Sequence, residues 1–239
     1  MKKQSLSIRE HLAFPSILLA TGVASSGCLL TSPLDKSGKI YDLITKNWAR
    51  FVARAAGMKV SAVNVDIVDR ERTYVVIANH QSHMDVIALT HTSPVPLRML
   101  AKDDLFSIPV FGPALKRSGH IAVHRGRQHH THVSDLFGDI ERLIQAKRSI
   151  MVFPEGSRSL DGHIGSFKKG AFVIARHFEL PILPIAISGT REILPSKSIK
   201  FHAGHARLVY HQPIETGDIN LEKLIEKTHQ TLEKTLAQN

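Results

Sequence analysis

Three apolar runs, residues 74–78, 149–153 and 180–187, constrain this chain more than any other feature. Each is too short for an ordinary helix and is apolar with little alternation, which is the pattern of a strand covered on both faces. Between them lie segments with helical spacing: residues 131–147 carry Val133, Leu136, Phe137, Ile140, Leu143 and Ile144 on one stripe, and residues 168–178 and 221–236 read alike. Shorter strands are expected at 98–102, 119–125 and 207–210, and a half-exposed one where Val63, Val65 and Ile67 alternate with Asn64 and Asp66. Strands alternating with helices predict an α/β fold whose mainly parallel sheet is covered by helices.

At 239 residues there is room for one such domain and an appendage. The appendage is N-terminal. Residues 12–34 hold no charged side chain, a run of 23, but Pro15, Gly22 and Gly27 interrupt it. Three readings are open: a membrane-spanning or re-entrant anchor, a helical hairpin broken near residues 22–27, or a signal peptide ending before Cys28. Residues 40–57 then read as an amphipathic helix with Ile40, Leu43, Ile44, Trp48, Phe51 and Val52 as its stripe. Lys46, Arg50 and Arg54 beside that stripe suit an interfacial helix, and a helix docked on the protein's own core fits as well. The expected division is a membrane-associating helical region at 1–58 and the α/β domain at 59–239.

A net charge of +10 favours an anionic partner. With 3 Tyr and 1 Trp there is little material for base stacking, so lipid ranks above nucleic acid. One cysteine excludes an internal disulfide.

The chemistry gathers at strand ends. His80 follows the run 74–78, and Ser82 with Asp85 makes a capping-box pattern before the next helix. On a continuous helix the side chains of residues 80 and 85 would lie about 140° apart, but a turn between them lets them meet. A carboxylate on one ring nitrogen of His80 would leave the other as a base. Arg125 ends a second strand, and Glu155-Gly156-Ser157-Arg158 follows a third. Ligands of open α/β sheets bind at the carboxyl ends of strands, so these groups are expected to converge, the arginines as anion ligands.

Four segments in this order resemble the motifs of the glycerolipid acyltransferase family: Asn79-His80-Gln81-Ser82-His83-Met84-Asp85, residues 119–125, residues 153–159 and residues 180–187. Lys102 and residues 167–170 match further, and the resemblance covers residues 48–189. It implies that His80 is the general base and Asp85 its orienting partner. It implies that Lys102, Arg125, Glu155, Gly156, Ser157 and Arg158 bind the acceptor. The acyl chain would pass from acyl-CoA or acyl carrier protein to the hydroxyl of 1-acyl-glycerol 3-phosphate (lysophosphatidic acid), giving phosphatidic acid without metal or cofactor. The implied setting is a membrane surface, with the site facing the cytoplasm. His124 stands where the family often has an acid, and Ser157 where it usually has Thr, so another lysophospholipid, glycerol 3-phosphate or an aminolipid are alternative acceptors. A thioesterase and a non-catalytic membrane-binding module are the readings from other classes. The oxyanion of the reaction is expected to meet backbone N–H groups at the start of the helix carrying Asp85. His83 is expected to be an exposed residue of the first helical turn.

Overall fold

The computed structural model describes residues 8–123 and 133–238. In chain order the first elements are α1 (Ile8–Thr31), α2 (Lys39–Ala56), β1 (Met58–Val63), β2 (Val75–Ala78), α3 (Met84–Thr92), β3 (Leu97–Lys102), α4 (Phe111–Arg117) and β4 (Ile121–Val123). There follow α5 (Val133–Gln145), β5 (Ser149–Val152), α6 (Gly170–His177), β6 (Ile182–Ser188), α7 (Thr190–Ile193), β7 (Gly204–Tyr210) and α8 (Leu221–Leu236).

The strands form one sheet in the order β1-β7-β6-β2-β5-β3-β4. All neighbours are parallel except β6 and β7. The three apolar runs of the sequence thus lie side by side, with β2 between β5 and β6. Alternation explains why each run is apolar throughout. Val76 and Ala78 face a layer containing α2 and α3, whereas Val75 and Ile77 face α5, α6 and α8. All four are fully buried. A buried aliphatic side chain of this size contributes about 1.5–3 kcal/mol, so the centre of the sheet is the strongest part of the fold.

One strand expectation fails. Val65 and Ile67 lie in a 3-10 turn because Asn64 adopts φ 61, which ends the alternation after β1.

The N-terminal segment is a continuous 24-residue helix through Pro15, Gly22 and Gly27, so the broken-hairpin reading does not hold. Its stretch Leu12–Thr31 has mean hydropathy 1.6 and is long and apolar enough to cross a membrane. Leu18, Leu19, Val23 and Leu30 are exposed on it. Trp48 of α2 donates its indole N–H to Thr21 Oγ1 at 3.0 Å, joining the two helices. On α2 the residues that reach the core are Ala49, Val52, Ala53 and Ala56, while Leu43 and Phe51 stay exposed. Small side chains let this helix lie close to the sheet. Gly57, with φ 71, closes it. At its other end Asp42 holds Arg98 at 2.7 Å and also pairs with Arg148, fastening α2 to the strands β3 and β5.

Candidate active site

The site grows from the turn between β2 and α3. Asn79 leaves the sheet with its side-chain amide bonded both ways to the Ile187 backbone of β6, at 2.9 and 2.8 Å. The loop after β5 grips the other side. Glu155 Oε1 accepts the His80 N–H at 2.7 Å, and the Ser159 N–H donates to the His80 carbonyl at 2.8 Å. Both backbone groups of His80 are therefore held by that loop.

Asp85, fully buried in the first turn of α3, turns its carboxylate back over this bend. Its Oδ2 accepts the N–H groups of Gln81 (2.7 Å) and Ser82 (2.8 Å), and meets His80 Nδ1 at 2.8 Å. The reciprocal half of the capping pattern differs. Ser82 Oγ accepts the Met84 N–H at 3.2 Å and donates to the Leu194 carbonyl, and α3 begins one residue later than the pattern predicts. Since an ionised carboxylate only accepts, Nδ1 of His80 carries the hydrogen, which in the neutral ring leaves the lone pair on Nε2. The imidazole stacks on Phe153, with centroids 4.0 Å apart and planes 13° apart.

The amides of Gln81, Ser82, Met84 and Asp85 are all consumed within the turn. That removes these four as free oxyanion donors and narrows the expectation from sequence to the His83 N–H, which none of these bonds engages.

His80 borders a cavity of about 660 Å³ that runs beneath α1 and α2 along the face of β3 and β5. At the carboxyl ends of the strands its wall includes His80, Lys102, Phe153 and Arg158. At their amino ends it reaches Pro96, Leu97, Tyr41 and His120. From Leu97 to Lys102 the strand alone spans about 17 Å. Between these ends the wall is mostly apolar, with Met99, Met151, Ile87 and Leu115 from the domain and Ala24 and Trp48 from the helix pair. The far end is polar but closed on itself. The Met99 N–H donates to His120 Nδ1 at 3.0 Å, so Nε2 bears the ring hydrogen and donates to Tyr41 Oη at 2.5 Å. Burial pushes the His120 imidazole down to about 3, which keeps it neutral.

Of the other residues singled out in the sequence, Arg158 lines the cavity beside the exposed His83. Lys102 lines its edge while paired with Asp104. Glu155 is buried, and both its oxygens accept backbone N–H groups, the second from Gly165 at 2.9 Å. Burial raises its carboxyl above the ordinary value. Gly156 has φ 74, and a Cβ there would lie 2.6 Å from Lys168 Nζ, so the glycine makes room for that lysine. Ser157 is exposed and does not line the cavity. Arg125 and its neighbour His124 lie outside the described residues. No group of three or more His, Cys, Asp or Glu side chains suited to a metal occurs among the described residues.

Sequence reasoning missed Thr190, fully buried at the start of α7, whose Oγ1 donates to Asp85 Oδ1 at 2.5 Å. Its only signal was its position three residues past the apolar run 180–187, at a strand end. Chemically, the assembly is an imidazole, oriented and backed by a buried carboxylate, at the mouth of an apolar cavity with cations on its rim.

Known acyltransferases share this chain's sequence and fold. The family model described as Acyltransferase matches residues 59–188. A chloroplastic 1-acyl-sn-glycerol-3-phosphate acyltransferase of Brassica napus is 37% identical over 142 residues, 59% of this chain and 40% of its own length. A second chloroplastic protein of that name, from Arabidopsis thaliana, is 32% identical over 74% of this chain and 49% of its own length. A Saccharomyces cerevisiae protein of that name is 30% identical over 70% and 55% respectively. The chain thus spans about half the length of these curated relatives. The crystal structure of the 1-acyl-sn-glycerophosphate acyltransferase from Thermotoga maritima superposes with a TM-score of 0.82 over 97% of this chain and 96% of that one, at 23% identity.

Proposed function

Because the chain belongs to the acyltransferase family, we propose that it transfers an acyl chain from a thioester donor to the free hydroxyl of 1-acyl-glycerol 3-phosphate, producing phosphatidic acid. The observation that carries this reading is His80, with Nδ1 bonded to Asp85 and Nε2 unbonded among the described residues at the rim of an apolar cavity.

The chemistry follows from that placement. The acceptor hydroxyl attacks the thioester carbonyl while Nε2 takes its proton, so that an alkoxide never has to form freely. The new C–O bond creates a tetrahedral intermediate. Its collapse breaks the C–S bond, and the imidazolium returns the proton to the departing thiolate. Asp85 stabilises the imidazolium, and its four donors keep the carboxylate fixed before the charge appears. A thioester is already activated, so the step needs no metal or cofactor. The donor is acyl-CoA or acyl carrier protein, whose acyl chain fits the cavity by shape and polarity. Arg158 and Lys102 at the rim, with Arg125 by resemblance, serve the acceptor phosphate. The exposed apolar side chains of α1 and α2 support attachment to a membrane, with the site on its cytoplasmic side where such donors are found.

The test is thiol release from palmitoyl-CoA by the full chain, with and without lysophosphatidic acid, beside His80→Ala. The expected result is release that needs the lysolipid and falls by about 10²–10⁴-fold in the variant. Equal release without acceptor would make the protein a thioesterase.

A further inference from the structure

Thr190 and Asp85 are 105 residues apart in sequence, yet their side chains meet inside the protein with no exposed surface on either. The two carboxylate oxygens of Asp85 are unequally served. Oδ2 has three partners, the Gln81 and Ser82 amides and His80 Nδ1. Oδ1 has the Thr190 hydroxyl alone among the described residues, at 2.5 Å. The torsion that orients a carboxylate is broad, so bonds on one oxygen leave the plane free to rock. A donor on the opposite oxygen fixes it, and with it the direction in which Oδ2 meets the imidazole.

The chain is built to deliver this hydroxyl. β6 lies directly beside β2, so its end emerges next to the turn that carries His80. There Gly189 adopts φ 81, and a Cβ on it would stand 1.9 Å from the His205 carbonyl of β7. Only glycine passes so close, and the next residue is Thr190. Gly189 is the N-cap of α7, so the Thr190 hydroxyl is not the capping group and is spent on Asp85.

We propose that Thr190 is a positioning residue for acyl transfer, acting through Asp85 to hold the His80 imidazole in the orientation the base needs. The proposal rests on the reading of His80 as the base. It concerns the Thr190–Asp85–His80 line and assigns Thr190 no contact with substrate.

The experiment compares Thr190→Val and Thr190→Ser in the full chain, by steady-state kinetics and by the low-field proton resonance of the His80–Asp85 bond, identified through its loss in His80→Ala. A hydrogen bond to a charged group predicts a kcat about 10–100-fold lower in Thr190→Val, with both KM values within about twofold of wild type. The resonance should shift or broaden in Thr190→Val, and Thr190→Ser should restore kcat and resonance together. Should Thr190→Val fail to fold, Thr190→Cys, of similar size and with a weaker donor, reads the same two quantities. Wild-type kcat with an unmoved resonance in the folded variant overturns the proposal, as does a resonance that Thr190→Ser does not restore. If the wild-type chain transfers no acyl group, the functional reading fails, while the resonance still decides whether Thr190 sets the His80–Asp85 bond.

Discussion

Glu155 Oε1 accepts the backbone N–H of His80 at 2.7 Å, so the loop after one strand holds the residue that ends its neighbour. The second oxygen takes Gly165, which leaves the carboxylate occupied by backbone rather than open to a ligand.

This sets a stability prediction. Burial raises the Glu155 carboxyl above its ordinary value of 4.5 in the folded protein. A carboxyl raised in this way favours the folded state most when protonated, and that contribution is lost as pH rises through the folded value. Glu155→Gln keeps one of the two acceptor oxygens, sets an NH2 donor against the other backbone N–H, and removes the titration. Its Tm should therefore lack the decline with rising pH that this group contributes just above pH 4.5. The turn holding His80 should also loosen, lowering kcat more than either KM. Parallel Tm-against-pH curves for the two proteins would contradict the first expectation.

How much of this was legible in the sequence depends on range. The central strands were readable because residues 75–78 and 182–187 are apolar on both faces, a local property. His80 and Asp85 were readable because both lie on one turn. Thr190 was not, since nothing local says that the end of β6, which precedes it, emerges beside β2. The stripe of α2 left an interfacial and a core-facing reading open; Leu43 and Phe51 stay exposed, and the face that reaches the core is Ala49, Val52, Ala53 and Ala56, small residues that suit close approach to a sheet. The role of Glu155 as a ligand of backbone amides is likewise set by loop packing, which spacing does not encode.

The cavity gives a second prediction. Ala24 lines it from α1. Ala24→Trp should fill part of the space and move donor preference to shorter chains. Each displaced methylene is worth about 1–3 kcal/mol, so kcat/KM for a long-chain donor should fall at least tenfold while a short-chain donor is little affected. Assays across donors of graded length decide it; a uniform loss would assign the cavity another role.

The third prediction concerns acid. His120 is buried beside Tyr41, and burial first, then the Arg98 charge, hold it at about 3. A histidine depressed in the folded state contributes stability that is present above its unfolded value of 6.5 and is lost as pH falls toward the folded value. Wild-type Tm should drop from pH 6.5 downward, and His120→Gln should flatten that limb despite a lower Tm at neutral pH. Equal slopes in both proteins would remove His120 as the source.

The helix pair α1 and α2 carries the exposed apolar surface and also supplies one wall of the cavity. Two jobs that could belong to separate modules therefore share a single part. A shift or tilt of these helices alters the width of the chamber beside His80. Substitutions on the outer face of the pair and substitutions in the cavity wall are thereby coupled through the same two helices. Removing the pair would leave the His80–Asp85 contact, which neither helix makes, and take away the wall that closes the cavity.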